Sequence, residues 1–158
     1  MTRIIGCGNL DRGDDGVGIF VADRLREHGL PAETCTGEAT GLMEAWRGAN
    51  DVLIVDAVRT GAPPGTVHQW EVRDSRFPAR SSASTHGFGL AEGIELARKL
   101  GTLPKQLHIY GIEIGQCAAG SALSPDVQAS AEKLVQQVIA QHSSHKPHIG
   151  DTFRRSST

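Results

Sequence analysis

The sequence predicts an α/β fold: a three-layer sandwich in which helices cover both faces of an open, mostly parallel, five-stranded twisted sheet with one antiparallel edge strand. Three observations carry this. Apolar strand-like segments alternate with segments of helical period along the 158 residues, the pattern left by a parallel sheet and its crossover helices. The run DVLIVD at 51–56 is β-branched and apolar without alternation, as expected of a central strand buried on both faces. Residues 66–71 look like a strand but follow the turn GAPPG with no helix between, so this strand returns antiparallel, at an edge.

Taken in order, residues 3–7 (RIIGC) form the first strand and enter a glycine-rich turn at once. Val17, Phe20, Val21 and Leu25 then recur at helical spacing, which places a helix at 16–28. Residues 33–36 read as a short second strand, and Leu42, Met43, Ala45 and Trp46 mark a second helix after the turn at 37–41. The third strand is 51–56 and the fourth, antiparallel, is 66–71. A polar, serine-rich stretch at 74–84 reads as a mobile loop ahead of a third helix at 87–100, built on Leu90, Ile94 and Ala97. Residues 106–113 (QLHIYGIE) form the fifth strand. Ser124 and Pro125 then supply an N-cap and a first-turn proline for a fourth helix reaching about residue 141. Beyond 143 no periodicity remains, so 1–142 reads as a single domain and 143–158 as a flexible tail.

The length suits one domain, and 39% hydrophobic with 22% charged residues can fill a core. A net charge of −2 provides no basic field for nucleic acid. No apolar run approaches the roughly 18 residues of a membrane span, and charges at Arg3, Asp11 and Arg12 leave no room for a signal-peptide core. Three cysteines, Cys7, Cys35 and Cys117, with no CxxC spacing, make neither a disulfide framework nor a zinc knuckle. Cys7 and Cys117 read as buried packing residues. The expectation is a soluble, cytoplasmic protein with reduced thiols.

In such a sheet, ligands bind beyond the carboxyl ends of the strands. There the sequence places GCGNLDRGDDGVG at 6–18, Asp56-Ala57-Val58, and STHGFG at 84–89. The first loop fails the dinucleotide fingerprint, because Asp11 stands where a third glycine is needed. With Asp11, Asp14 and Asp15 it would repel a pyrophosphate and suits a cation. Asp14 reads as the cap of the first helix and Asp15 as the carboxylate left for a ligand. Asp56 has the alternative role of a turn-forming aspartate, His86 that of a helix-start histidine, and Asn9 that of a turn residue. The histidines at 142, 145 and 148 read as part of a solvated tail. Jointly, oxygen, oxygen and nitrogen donors on three strand ends would suit nickel or zinc.

Six ordered motifs then resemble the hydrogenase maturation endopeptidases, which trim the C-terminus of the nickel-iron hydrogenase large subunit. They are Gly6-x-Gly8-Asn9 with Asp14-Asp15-Gly16-Val17-Gly18; Gly37-x-x-Thr40-Gly41-Leu42; Val55-Asp56-Ala57; Ser84-x-His86-x-x-Gly89-Leu90; Gly111-Ile112-Glu113; and Gly120 with Leu123-Ser124-Pro125-x-Val127. Ile114 stands where the family often has proline, which bears on the loop after the fifth strand. By this resemblance the nickel-contacting positions fall on Asp15, Asp56 and His86, and Asn9, Thr40 and Gly41 become candidates for substrate contact. The resemblance implies a monomeric endopeptidase with no permanently bound cofactor. The Ni2+ is presented by the hydrogenase precursor, Asp15 is a candidate general base, and other divalent metals are able to occupy the site. Two alternatives stay open on the residues alone: a non-catalytic chaperone of the same precursor, and a self-contained zinc hydrolase.

Overall fold

The computed structural model describes residues 2–72, 90–115 and 118–143. Its elements run β1 (Arg3–Cys7), a 3-10 helix (Leu10–Gly16), α1 (Val17–Glu27), β2 (Ala32–Cys35), α2 (Ala39–Ala45), β3 (Asp51–Val58), β4 (Val67–Glu71), α3 (Leu90–Leu100), β5 (Gln106–Glu113) and α4 (Pro125–Ser143). The expected loop at 74–84, the tail from 144 onward and Cys117 lie outside the described residues.

The strands form one sheet in the order β2-β1-β3-β5-β4. All neighbours are parallel except β4, which pairs antiparallel with β5 and closes one edge. A connection of only eight residues between β3 and β4 leaves no room for the crossover that a parallel partner requires. The β3 run is central as expected, with seven of its eight residues buried. Side-chain alternation divides its apolar set between two layers. Leu53, Val55 and Ala57 join Val17, Val21, Leu25, Val127, Leu134 and Val138 under α1 and α4. Val52 and Ile54 join Ile5, Leu42, Trp46, Leu90 and Ile94 under α2 and α3. This is the predicted sandwich.

Two differences from the sequence reading have physical causes. The first helix does not begin at Gly16; a separate 3-10 turn precedes it, started by Asn9, whose side chain accepts a hydrogen bond from the Asp11 amide at 2.9 Å. At 114, the residue standing in place of proline keeps its amide hydrogen. Ile114 N–H donates to the Val58 carbonyl at 3.1 Å, extending the β3–β5 pairing one step further than proline would allow.

The layers meet most closely where α1 crosses β1. A methyl group added at Gly6 would overlap the Gly18 carbonyl oxygen, and one added at Gly18 would overlap the carbonyl oxygens of Cys7 and Val55. Backbone lies on backbone there, so neither neighbour can yield. Gly18→Ala is therefore expected to lose about 3 kcal/mol of unfolding free energy through overpacking. Gly41→Ala, whose added methyl would meet open space in α2, is expected to gain up to about 1 kcal/mol. Urea unfolding of both variants checks the contrast.

Candidate functional site

Strand order reverses between β1 and β3: from β1 the chain goes outward to β2, then crosses to the other side to lay down β3. That switch point opens a crevice beyond the carboxyl ends of the strands. A line of paired residues crosses the sheet just below it. Cys35 pairs with Cys7, Gly6 with Val55 one step short of Asp56, Asp56 with Gly111, and Gly111 with His68. Asp56 shares the alternation of Val52 and Ile54, so it faces the layer of α2 and α3.

Among the described residues, the buried polar or charged side chains are Asp14, Asp15, Asp56 and Glu113, all four carboxylates. All four lie at or beyond the carboxyl ends of β1, β3 and β5. Buried carboxylates are costly unless donors or a cation compensate them, so their gathering at one edge needs explanation residue by residue.

Asp14 is fully buried and acts as a bolt between distant segments. Its carboxylate accepts hydrogen bonds from the Ser124 amide at 2.6 Å, from the Ser124 hydroxyl at 2.8 and 2.9 Å, and from the Gly115 amide at 3.1 Å. This corrects the expectation that Asp14 caps its own helix: its carboxylate holds the 3-10 turn to the loop after β5. Ser124 does precede α4, with its carbonyl accepting from the Gln128 amide at 2.9 Å, but its hydroxyl proton goes to Asp14.

Asp15 is buried at 3% exposure. Its carbonyl accepts from the Asn9 amide at 3.1 Å and lies so close to Gly8 that any side chain there would collide with it. The turn is thereby folded down on the end of β1, beside the strand that carries Asp56. Asp56 is 2% exposed, and its Oδ1 accepts from the Ala57 amide at 2.8 Å. Its negative charge also reaches Cys7. The Cys7 thiol is held well above its usual pKa, first by a hydrogen bond with the Cys35 thiol, then by burial, then by Asp56.

Glu113 heads a network that no local pattern announced. Its carboxylate accepts from the Thr60 amide at 2.9 and 3.0 Å, from the Thr60 hydroxyl, and sits 3.1 Å from Nε2 of His68. His68 is part-exposed and stacks on Trp70 with ring centroids 5.3 Å apart. Gly111 leaves space for this, since a methyl there would strike the Trp70 ring. The network joins the loop after β3, the edge strand β4 and the end of β5. The only sequence signal was Glu113 in its Gly-Ile-Glu motif; His68 looked like an ordinary strand residue.

Asp15 lies in the 3-10 turn that follows β1, and Asp56 lies near the carboxyl end of β3. Asn9 is exposed at the same end, with its Oδ1 occupied by the turn. Thr40 and Gly41 are exposed in the first turn of α2, beyond the carboxyl end of β2. His86 lies outside the described residues, and among those described no group of three or more His, Cys, Asp or Glu is poised for a metal ion. A groove of about 720 Å³ lined by Arg24, His28, Glu132, Lys133 and Gln136 runs between α1 and α4. It lies toward the C-terminal end of α1, which points away from the carboxyl edge, so it is separate from the carboxylates. Among the described residues no helix is long and apolar enough to cross a membrane.

A doubly wound sheet with a crevice at its switch point hosts many chemistries, and comparison with known proteins narrows them to one class, the hydrogenase maturation proteases. The chain superposes on the hydrogenase maturating endopeptidase HybD from Escherichia coli with a TM-score of 0.73 and 25% identity, over 91% of this chain and 93% of that one. It shares its fold with a [NiFe] hydrogenase maturation protease from Thermococcus kodakarensis, at TM-score 0.74 and 24% identity over 89% and 97% of the two chains. In sequence it is 31% identical to protein FrxA of Pyrococcus furiosus over 81% of this chain and 95% of that protein. It is 28% identical to the hydrogenase 2 maturation protease of Escherichia coli over 87% of each. The hydrogenase maturation protease family model matches residues 36–141. This chain belongs to the hydrogenase maturation protease family, and it is a peptidase. The matched segment includes Asp56 and His86; Asp15 lies upstream of it.

Two outcomes follow from the geometry. Asp14→Ala removes the acceptor from three donor groups, and charge-assisted bonds of this kind carry roughly 1.5–3 kcal/mol each before relaxation. A loss of about 3 kcal/mol is expected in thermal or urea unfolding. For Cys7, the native state keeps its proton to higher pH than the unfolded chain does. The associated stability is therefore complete below the usual thiol range and is lost as pH rises through it toward the native value. Stability measured from pH 8 to 10.5 should decline, and less steeply in Cys7→Ala.

Proposed function

We propose that this chain is the endopeptidase that removes the C-terminal extension of a nickel-iron hydrogenase large-subunit precursor once nickel has been inserted, and that it reads the nickel held by that precursor. The observation that carries this reading is the pair of buried carboxylates, Asp15 and Asp56, on neighbouring strand ends at the switch point. Membership of the protease family supports it, as do the names of the similar proteins.

Acids buried at neighbouring strand ends are costly when charged and favour a compensating cation. In this reading the cation is the substrate's own metal. Asp15, Asp56 and His86 take open coordination positions on nickel whose other positions are filled by the precursor, so the ion is both the thing recognised and the anchor that aligns the chain to be cut. Asn9, Thr40 and Gly41, exposed around the same edge, bind the peptide on either side. Hydrolysis requires a water to add to the scissile carbonyl, a proton to leave that water, and the amine to depart with a proton. Asp15 accepts the proton from water as general base. Positioning of this kind is worth orders of magnitude in rate because it turns an encounter into an intramolecular step.

The test mixes the purified protein with nickel-loaded and nickel-free precursor and follows the C-terminal mass. Cleavage of the loaded form alone is expected, with turnover under excess substrate. Equal cutting of both forms would remove nickel reading from the proposal, and stoichiometric metal retained by the protease alone would favour a self-contained metallohydrolase. Asp56→Asn and His86→Ala are each expected to lower the rate at least about 100-fold, in the range seen when groups that orient or stabilise a reacting centre are removed.

A further inference from the structure

Beside the carboxylate edge, and with no part in the proposed cleavage, two thiols meet. Cys7 ends β1 and Cys35 ends β2, and the two are register partners on adjacent parallel strands. Their sulfurs are in contact at 2.9 Å, and the two are not joined in a disulfide. The backbone around them is already locked together, since the Gly8 amide donates to the Cys35 carbonyl at 3.1 Å. Neighbouring strands lie about 4.8 Å apart, within the Cα separation a disulfide tolerates. Closing the pair to a bond of about 2.05 Å shortens the sulfur separation of 2.9 Å by less than about 1 Å.

We propose that Cys7 and Cys35 are an oxidation site for hydroperoxides, forming a reversible disulfide that staples the ends of β1 and β2. Access sets the order of events. Cys7 is 1% exposed, whereas Cys35 is part-exposed. The Cys35 thiolate attacks the peroxide oxygen, giving a sulfenic acid and releasing water or alcohol. The Cys7 sulfur then attacks the Cys35 sulfur, the S–O bond breaks, and the hydroxide leaves with the Cys7 proton as water. With hydrogen peroxide, two thiols and one peroxide give one disulfide and two waters. A dithiol reductant reverses the change. The staple ties the loop that carries Asn9 and Asp15 to the segment leading into Thr40 and Gly41, so it rigidifies both sides of the crevice at once. It depends on neither nickel nor a precursor.

The full-length Cys117→Ser chain, which keeps only this pair, provides the test. It is exposed to hydrogen peroxide while folded, then denatured and alkylated with a maleimide. Expected are loss of both alkylations, a mass about 2 Da below the reduced chain for the two hydrogens lost in forming the bond, a linked Cys7–Cys35 peptide after digestion, and full recovery of both alkylations with dithiothreitol. Adding Cys35→Ser to the same background should leave Cys7 alkylated once before and after peroxide. Two alkylations surviving peroxide would overturn the proposal. So would an irreversible oxygen adduct on Cys35 with Cys7 still reactive, or a linkage found only between separate chains.

Discussion

The close approach of the first helix to the first strand governs the rest of this molecule. Gly6, Gly8 and Gly18 let the main chain of the 3-10 turn and of α1 rest directly on the ends of β1 and β3. With side chains in between, the turn would ride higher and Asp15 would not be pressed against the strand end next to Asp56. The glycines lower helix propensity and raise the entropy lost on folding. The core under α1 and α4 offsets that, with Val17, Val21, Leu25, Val127, Leu134 and Val138 all at 2% exposure or less.

That approach explains why four buried carboxylates coexist at one edge. Asp14 and Glu113 are neutralised structurally, by donors from Gly115 and Ser124 in one case and from Thr60 in the other. They tie the loops after β1, β3 and β5 into a frame. Asp15 and Asp56 sit within that frame, where water is largely excluded and charges interact strongly. Asp14 and Glu113 thus brace the crevice at whose edge Asp15 and Asp56 are buried.

Much of the fold was legible because it rests on local periodicity. The β5 boundaries, the central β-branched run of β3, the antiparallel β4 and the proline-led start of α4 all follow from spacing and turn chemistry. The candidate site was legible in part. Asp15 and Asp56 stand at strand ends, and a glycine-rich acidic loop there is informative. The 3-10 turn was not legible, because LDRGDDG at 10–16 carries Leu10 as its one apolar side chain and so offers no period to read. Nor was the role of Asp14, whose partners Gly115 and Ser124 are about a hundred residues away, or the pairing of Glu113 with His68 across 45 residues.

The sequence by itself determined the alternation of strands and helices, the placing of its glycines and acids after strands, and the ordered motifs of a maturation protease. Those are properties of neighbours along the chain, where period, turn preference and propensity act. Only the tertiary structure decided that Asp14 became a bolt, that Cys7 and Cys35 touch, and that Ile114 prolongs a strand pairing. Each depends on sheet register, and register is set by how both faces bury their apolar rows against separate helical layers, a constraint that no single segment contains.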